Sequence, residues 1–292
     1  MYELVQVSKN CYYIQCPAKI GIVKINDDEV CLIDSGNDKD AGKKALKIIN
    51  ENGWSLRAIY NTHSHADHIG GNALIQERTG CTIYAKGIDR DFTNHPSLEG
   101  ALIWGGYPYK DLKHKFLLAQ PSVASELCEE SLPEGIEIID LKGHTPDMVG
   151  FRTSDDIVYL ADCLSSKETL EKYQIGFIYD IGEYLKTLEM VKGLKARLFI
   201  PAHAPACEDI SSLAQYNIDK VNEVAELIIQ LCADGTTFES LLKALFDHYS
   251  LTMTHEQYVL VGSTVRSYLA YLKDEGKLTV RFDENLMLWE RA

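Results

Sequence analysis

His63-Ser64-His65-Ala66-Asp67-His68 places three imidazoles and a carboxylate within six residues, and no other stretch constrains the fold as much. Imidazole nitrogen and carboxylate oxygen are the usual donors for zinc and other first-row divalent ions. The fold must therefore carry this loop to a place where cations can be held. With nine histidines in 292 residues, the pattern arises by accident in fewer than about one such chain per thousand. In an extended loop His63 and His65 project to the same side, and the turn into a following helix re-aims Asp67 and His68. The span is too tight for all four to share one ion, so two adjacent ions are expected. Gly70 and Gly71 then allow close backbone approach.

Short runs rich in β-branched and aromatic residues, YELVQV, CYYIQC, GIVKIN and EVCLID, predict strands over the first 35 residues. A helix is expected over about 39–52, ended by Gly53. RAIYN and CTIYA read as strands, and the histidine box between them as a loop opening a helix that runs to about Thr79. IEIID, DMVGFRT, DIVYLAD and ARLFIP are further strands, with a helix near 180–191. This alternation predicts a layered α/β (α+β) domain.

Three more metal-type residues follow strands: His144 after IEIID, Asp162 at the end of DIVYLAD, and His203 after RLFIP. Taken singly, His144 or His203 reads as a turn residue. Taken with the box, they put metal-type side chains at the ends of four strands, and open α/β sheets gather their ligands along such an edge. His95, His114, His248 and His255 lack this context and are expected at the surface.

Residues from about 87 to 135 show few strand signals, several aromatics and Gly105-Gly106, and read as an insertion of helical turns and loops forming a lid or pocket wall. From about 211 the pattern becomes three amphipathic helices, 215–233, 237–249 and 255–275, followed by strands KLTVRF and LMLWE. That order predicts a small winged-helix-like domain over 211–292, behind a catalytic domain over 1–210. The eight cysteines form no CxxC pair and are too sparse for a disulfide scaffold. With no apolar span of membrane length and no signal-peptide pattern at the start, a reducing cytoplasm is the expected setting. Cys163 and Cys207, near candidate ligands, are expected to act as small buried hydrophobes.

The LIDSG stretch with Asp34, the HxHxDH box, His144, Asp162 and His203 together resemble the metallo-β-lactamase superfamily of binuclear metallohydrolases, over about residues 1–210. The resemblance implies a four-layer αββα sandwich with the metals at one edge. It implies that His63, His65 and His144 hold one ion, that Asp67, His68 and His203 hold the other, and that Asp162 bridges both. Asp34 would orient the site without ligating; on its own it also reads as a turn-forming residue before Ser35-Gly36. Two divalent ions, zinc expected and iron or manganese fitting the same donors, would sit about 3.5–4 Å apart and share a bridging hydroxide. Asp67 and Asp162 are the implied catalytic carboxylates, with Asp67 accepting a proton from the bridging water. Exported class B enzymes often carry Cys at the Asp162 position, and flavodiiron reductases carry Glu at the His65 position, so both branches are set aside. The tail looks like that of a branch containing a mammalian endoribonuclease, and more loosely like the helical domain of hydroxyacylglutathione hydrolases.

Three functions are carried forward. The first is hydrolysis of an ester-like carbonyl in a small molecule: a thioester, lactone or related metabolite. The second is phosphodiester cleavage of RNA, and the third a metal-binding regulator without turnover. Charge weighs against the second: 29 Lys and Arg face 43 Asp and Glu, a net of −14, and residues 212–292 hold seven basic side chains against twelve acidic. Nucleic-acid affinity rests on cations, so the tail is expected to serve packing or a homodimer contact. No membrane partner is expected.

Overall fold

The computed structural model describes residues 2–292. Strands β1 (Glu3–Gln6), β2 (Cys11–Gln15), β3 (Ile20–Lys24) and β4 (Glu29–Ile33) form an antiparallel meander. Helix α1 (Lys39–Glu51), capped by the Asp38 carboxylate, returns the chain to β5 (Ser55–Tyr60), which pairs parallel to β4. Helices α2 (Ala66–Ile69) and α3 (Asn72–Thr79) lead to β6 (Thr82–Ala85). Helices α4 (Gly87–Asn94) and α5 (Ser97–Trp104) follow, and then β7 (Ala124–Glu126) closes a seven-stranded sheet in sequential order.

The second sheet runs β8 (Ile136–Asp140), β9 (Val149–Thr153), β10 (Ile157–Ala161), with β11 (Leu198–Pro201) parallel to β10 at its edge. Helices α6 (Lys167–Tyr173) and α7 (Ile181–Gly193) link β10 to β11. The chain ends with α8 (Ser211–Leu231), α9 (Phe238–His248), α10 (His255–Asp274) and the hairpin β12 (Leu278–Asp283)–β13 (Leu286–Arg291).

The layers follow from which faces are apolar. Val23, Cys31, Ile33 and Tyr60 of the first sheet meet Val149, Phe151, Ile157 and Tyr159 of the second in an apolar core between them. The opposite face of the first sheet buries Ile22, Leu32 and Ile59 under α1 and α3, through Ile49 and Ile75. The opposite face of the second sheet buries Val158 and Leu160 under α7 and α8. Helices thus cover both outer faces of two mixed sheets, as the α/β expectation required.

Two expectations change. The stretch 87–135 is not wholly an insertion, because β7 pairs parallel to β6 and extends the first sheet. Three residues, Ala-Ser-Glu, are too few to show an alternating pattern. Residues 211–292 are indeed three helices and a hairpin, but their core is continuous with the rest. Leu241, Val265, Tyr268 and Leu272 belong to the same apolar cluster as Val158, Leu188 and Phe199. What is established there is helices plus a hairpin, and not a winged-helix domain as such. Helix α6, capped by Ser166, adds to the expected elements. Among the described residues no helix is long and apolar enough to cross a membrane.

Candidate metal centre

The ligand-type residues all sit just past strand ends at one edge of the sandwich. Asp34 follows β4, the histidine box follows β5, His144 follows β8, Asp162 follows β10 and His203 follows β11. The fold gathers the candidate ligands into two groups, His63, His65 and His144, and Asp67, His68, Asp162 and His203, whose donor atoms lie within 4.8 Å of one another in each group. Gly71 permits the approach: a Cβ there would stand 2.4 Å from the Ser35 carbonyl oxygen.

Hydrogen bonds fix which nitrogen each imidazole presents. Thr62 Oγ1 donates to Asp34 Oδ2 at 2.7 Å, so its lone pair is free to accept from His63 Nδ1 at 3.0 Å. His68 Nδ1 donates to Asp34 Oδ2 at 2.7 Å, and His144 Nδ1 to the Phe177 carbonyl at 2.9 Å. All three are left with Nε2 aimed inward. Asp34 therefore orients His68 and Thr62 from behind, at a left-handed φ of 64° that Asp tolerates better than most residues.

The inward atoms are crowded and unpartnered. Among the described residues, His63 Nε2, His68 Nε2 and Asp162 Oδ1 are buried with no hydrogen-bond partner. His68 Nε2 lies 3.1 Å from Asp162 Oδ1 without the alignment of a hydrogen bond. Asp162 Oδ2 is 3.2 Å from His203 Nε2 and 3.7 Å from His144 Nε2, so this carboxylate faces both groups. His65 Nδ1 is 3.0 Å from His144 Nε2, and Asp67 Oδ2 is 3.2 Å from His203 Nε2. Buried donors left unpaired are costly, and here they converge on shared points. Nitrogen and carboxylate oxygen in such a set fit divalent cations.

The electrostatics agree. Burial, then the neighbouring imidazoles, hold His63 well below its ordinary pKa and His65 down at about 3, and burial lowers His144. These three are neutral and keep a lone pair to give. Asp162 pushes His203 up to about 10 against burial. Burial opposes charge on His68, but Asp162, Asp67 and Asp34 outweigh it and raise the ring well above the usual value. Burial likewise opposes ionisation of Asp67 and Asp162, and the cationic His68 and His203 reverse it, keeping both carboxyls low. Without metal, protons on two imidazoles balance two carboxylates; a divalent cation replaces those protons.

Some supporting residues gave no sequence signal. Asp89 of α4 is 1% exposed. Its Oδ1 accepts from Ser64 N at 2.9 Å, and its Oδ2 from Thr145 Oγ1 at 3.0 Å and Asp147 N at 2.9 Å. One carboxylate thus ties the loop of His63 and His65 to the loop of His144. Asp89→Asn keeps the size but turns an N–H group toward existing donors. A loss of about 10–100-fold in affinity at the first group is expected, read by chelator competition, with the fold retained by circular dichroism. Lys19, on the strand side of His203, donates to the carbonyls of Pro201, Ala202 and Ala204 and so holds that loop. Glu99 of α5 has Oε1 3.2 Å from His65 Nε2. A lone acid or lysine in sequence says nothing of such partners. His114 and His255 lie away from the centre: His114 Nε2 is 3.0 Å from Glu256 Oε1 and His255 Nδ1 is 2.7 Å from Tyr109 Oη, each joining the 87–135 stretch to α10. Cys163 is fully buried and Cys207 partly so.

Beside the two groups opens a cavity of about 300 Å³. His65, Asp67, His144 and Asp162 form its floor. Its walls are Ile103, Phe116, Leu117, Phe177 and Leu260, with Glu99 the one further charged type and no Lys or Arg.

Comparison with known proteins matches residues 6–203 to the family described as "Metallo-beta-lactamase superfamily". The chain is 31% identical over 153 residues to hydroxyacylglutathione hydrolase of Methylococcus capsulatus, covering 52% of this chain and 49% of that protein. It thus spans about half the length of that relative, and less of two further hydroxyacylglutathione hydrolases. It is 21% identical to "Beta-lactamase-like protein 2 homolog" of Drosophila melanogaster over 85% of this chain and 80% of the other. Among solved structures, a metallo-beta-lactamase family protein of Thermus thermophilus superposes with a TM-score of 0.72 at 16% identity, covering 100% of this chain and 98% of that one. A beta-lactamase domain protein of Burkholderia ambifaria gives 0.73 at 15% identity, covering 99% and 94%. At these identities the solved structures speak to the fold alone.

Proposed function

The chain belongs to the metallo-β-lactamase superfamily and is a metallohydrolase with a binuclear His/Asp site, and we propose that it cleaves an ester-like carbonyl in a small molecule: a thioester, lactone or related metabolite. The observation that carries this is the cavity wall, which is apolar and offers a phosphodiester no cation. The names of relatives, hydroxyacylglutathione hydrolase, support an acylated thiol as substrate.

His63, His65 and His144 would hold one ion and Asp67, His68 and His203 the other, with Asp162 between them through its two oxygens. Divalent ions, zinc by donor type with iron or manganese suited to the same set, supply Lewis acidity and a lowered water pKa. Asp67 Oδ2 faces His203 and His68, which leaves Oδ1 to take a proton from the attacking water. Asp34, through His68 Nδ1, fixes the ring that backs this step. The apolar wall excludes water and orients the acyl group. The C-terminal helices and hairpin, winged-helix-like in order, serve as packing and as one side of the wall. Their acidic balance disfavours RNA.

The test is a panel of thioesters, lactones and bis-p-nitrophenyl phosphate against metal-loaded protein. Carbonyl substrates are expected to be favoured at least about a hundredfold in kcat/KM, equivalent to about 2.7 kcal/mol. A preference for the phosphodiester, with steeply salt-dependent RNA binding, overturns the proposal.

A further inference from the structure

We propose that the cavity between α5 and α10 is an acyl pocket for an uncharged apolar group, and that Leu260 of α10 sets the length it admits. This assignment rests on the ester-type function above and adds the chemistry of the substrate's acyl side. His65, Asp67, His144 and Asp162 form the floor, so the substituent of a carbonyl held beside them would meet Ile103, Phe116, Leu117, Phe177 and Leu260, with Glu99 kept next to the floor by its 3.2 Å contact with His65. Its volume of about 300 Å³ is at the small end of the range for ligand cavities.

The wall is built to keep its shape. Ile103 of α5, Leu112 and Val259 of α10 form one buried cluster, against which Leu117, Phe177 and Leu260 pack. The Trp104 and Tyr258 rings lie 6.3 Å apart, and the Tyr109–His255 and His114–Glu256 contacts tie the segment after α5 to α10. The stretch between β6 and β7 and the C-terminal helix therefore act as one fixed wall. A substrate tail longer than the cavity meets packed side chains. Leu260 stands on α10, outside the two ligand groups, where a change of side-chain size alters the depth of the cavity.

The experiment titrates straight-chain carboxylates, acetate through octanoate, into metal-loaded protein by calorimetry. In the parent, affinity is expected to rise about fourfold per buried methylene and then stop. Leu260→Ala is expected to carry the rise to longer chains, and Leu260→Trp to end it sooner. Affinity independent of chain length in the parent, or a stopping point that neither variant moves, overturns the assignment. Binding is the readout, so the two proposals fail separately. A chain-length rise in a protein that cleaves no ester refutes the function and leaves the pocket; cleavage with a flat binding series does the reverse.

Discussion

Asp162→Ala is expected to lower kcat/KM on the best carbonyl substrate by on the order of 10³-fold, about 4 kcal/mol of transition-state stabilisation. The size follows from position. One oxygen of this carboxylate lies 3.1 Å from His68 Nε2 and the other within 3.2 Å of His203 and 3.7 Å of His144. Removing it takes a donor from the second group and the carboxylate that faces His144 of the first. It also leaves His68 and His203 facing each other without the negative charge that raises both, and breaking a buried pair in this way costs about 3–5 kcal/mol. Loss of metal and loss of rate should go together. Elemental analysis beside the kinetics separates this from a distant effect: a variant that retained both ions and near-parent rates would show that Asp162 does not join the two groups.

The second large effect is on stability against pH, and its alkaline limb differs between the metal-free and metal-loaded protein. In the metal-free chain His203 titrates near 10, above the unfolded value of about 6.5. Its contribution is fully present below about pH 6.5 and is lost as pH rises through 10, by up to about 1.4 kcal/mol per pH unit. His68, also raised, acts in the same direction. His63, His65 and His144 are lowered, so the unfolded chain takes up protons that the folded chain refuses. Below about pH 6.5 they remove stability, His65 down to about pH 3. The metal-free protein should be most stable near neutrality and weaken on both sides. Bound ions hold the imidazoles unprotonated and bind only the folded state, so the alkaline loss should vanish on loading. Denaturant titrations at about pH 5, 7 and 9 with and without metal check this. An alkaline limb unchanged by metal would contradict it.

The two clustered groups are legible in the sequence because each member carries rare chemistry at a recognisable place. His144, Asp162 and His203 follow runs of β-branched residues, and strand ends share an edge. Asp34 reads as a support only through the resemblance, since alone it also reads as a turn residue, and its grip on both Thr62 and His68 needs coordinates. Asp89 and Leu260 are not legible. Asp89 matters through three backbone or hydroxyl donors from two distant loops, and such convergence leaves no local pattern. Leu260 sits on an ordinary amphipathic helix and gains a role only because α10 folds back on α5. The reading of 211–292 as a separate unit comes from a change in helical pattern near residue 211. That pattern does not show that its apolar face joins the core under the second sheet.

The central claim is that seven side chains from four strand ends make one cage for two divalent ions. Counting the metal bound per chain, after reloading with divalent metal and dialysis, tests it most directly. Two ions per chain in the parent, falling below one in Asp162→Ala, is the predicted result. No divalent metal above background in the parent after reloading, or two ions retained in Asp162→Ala, would contradict it.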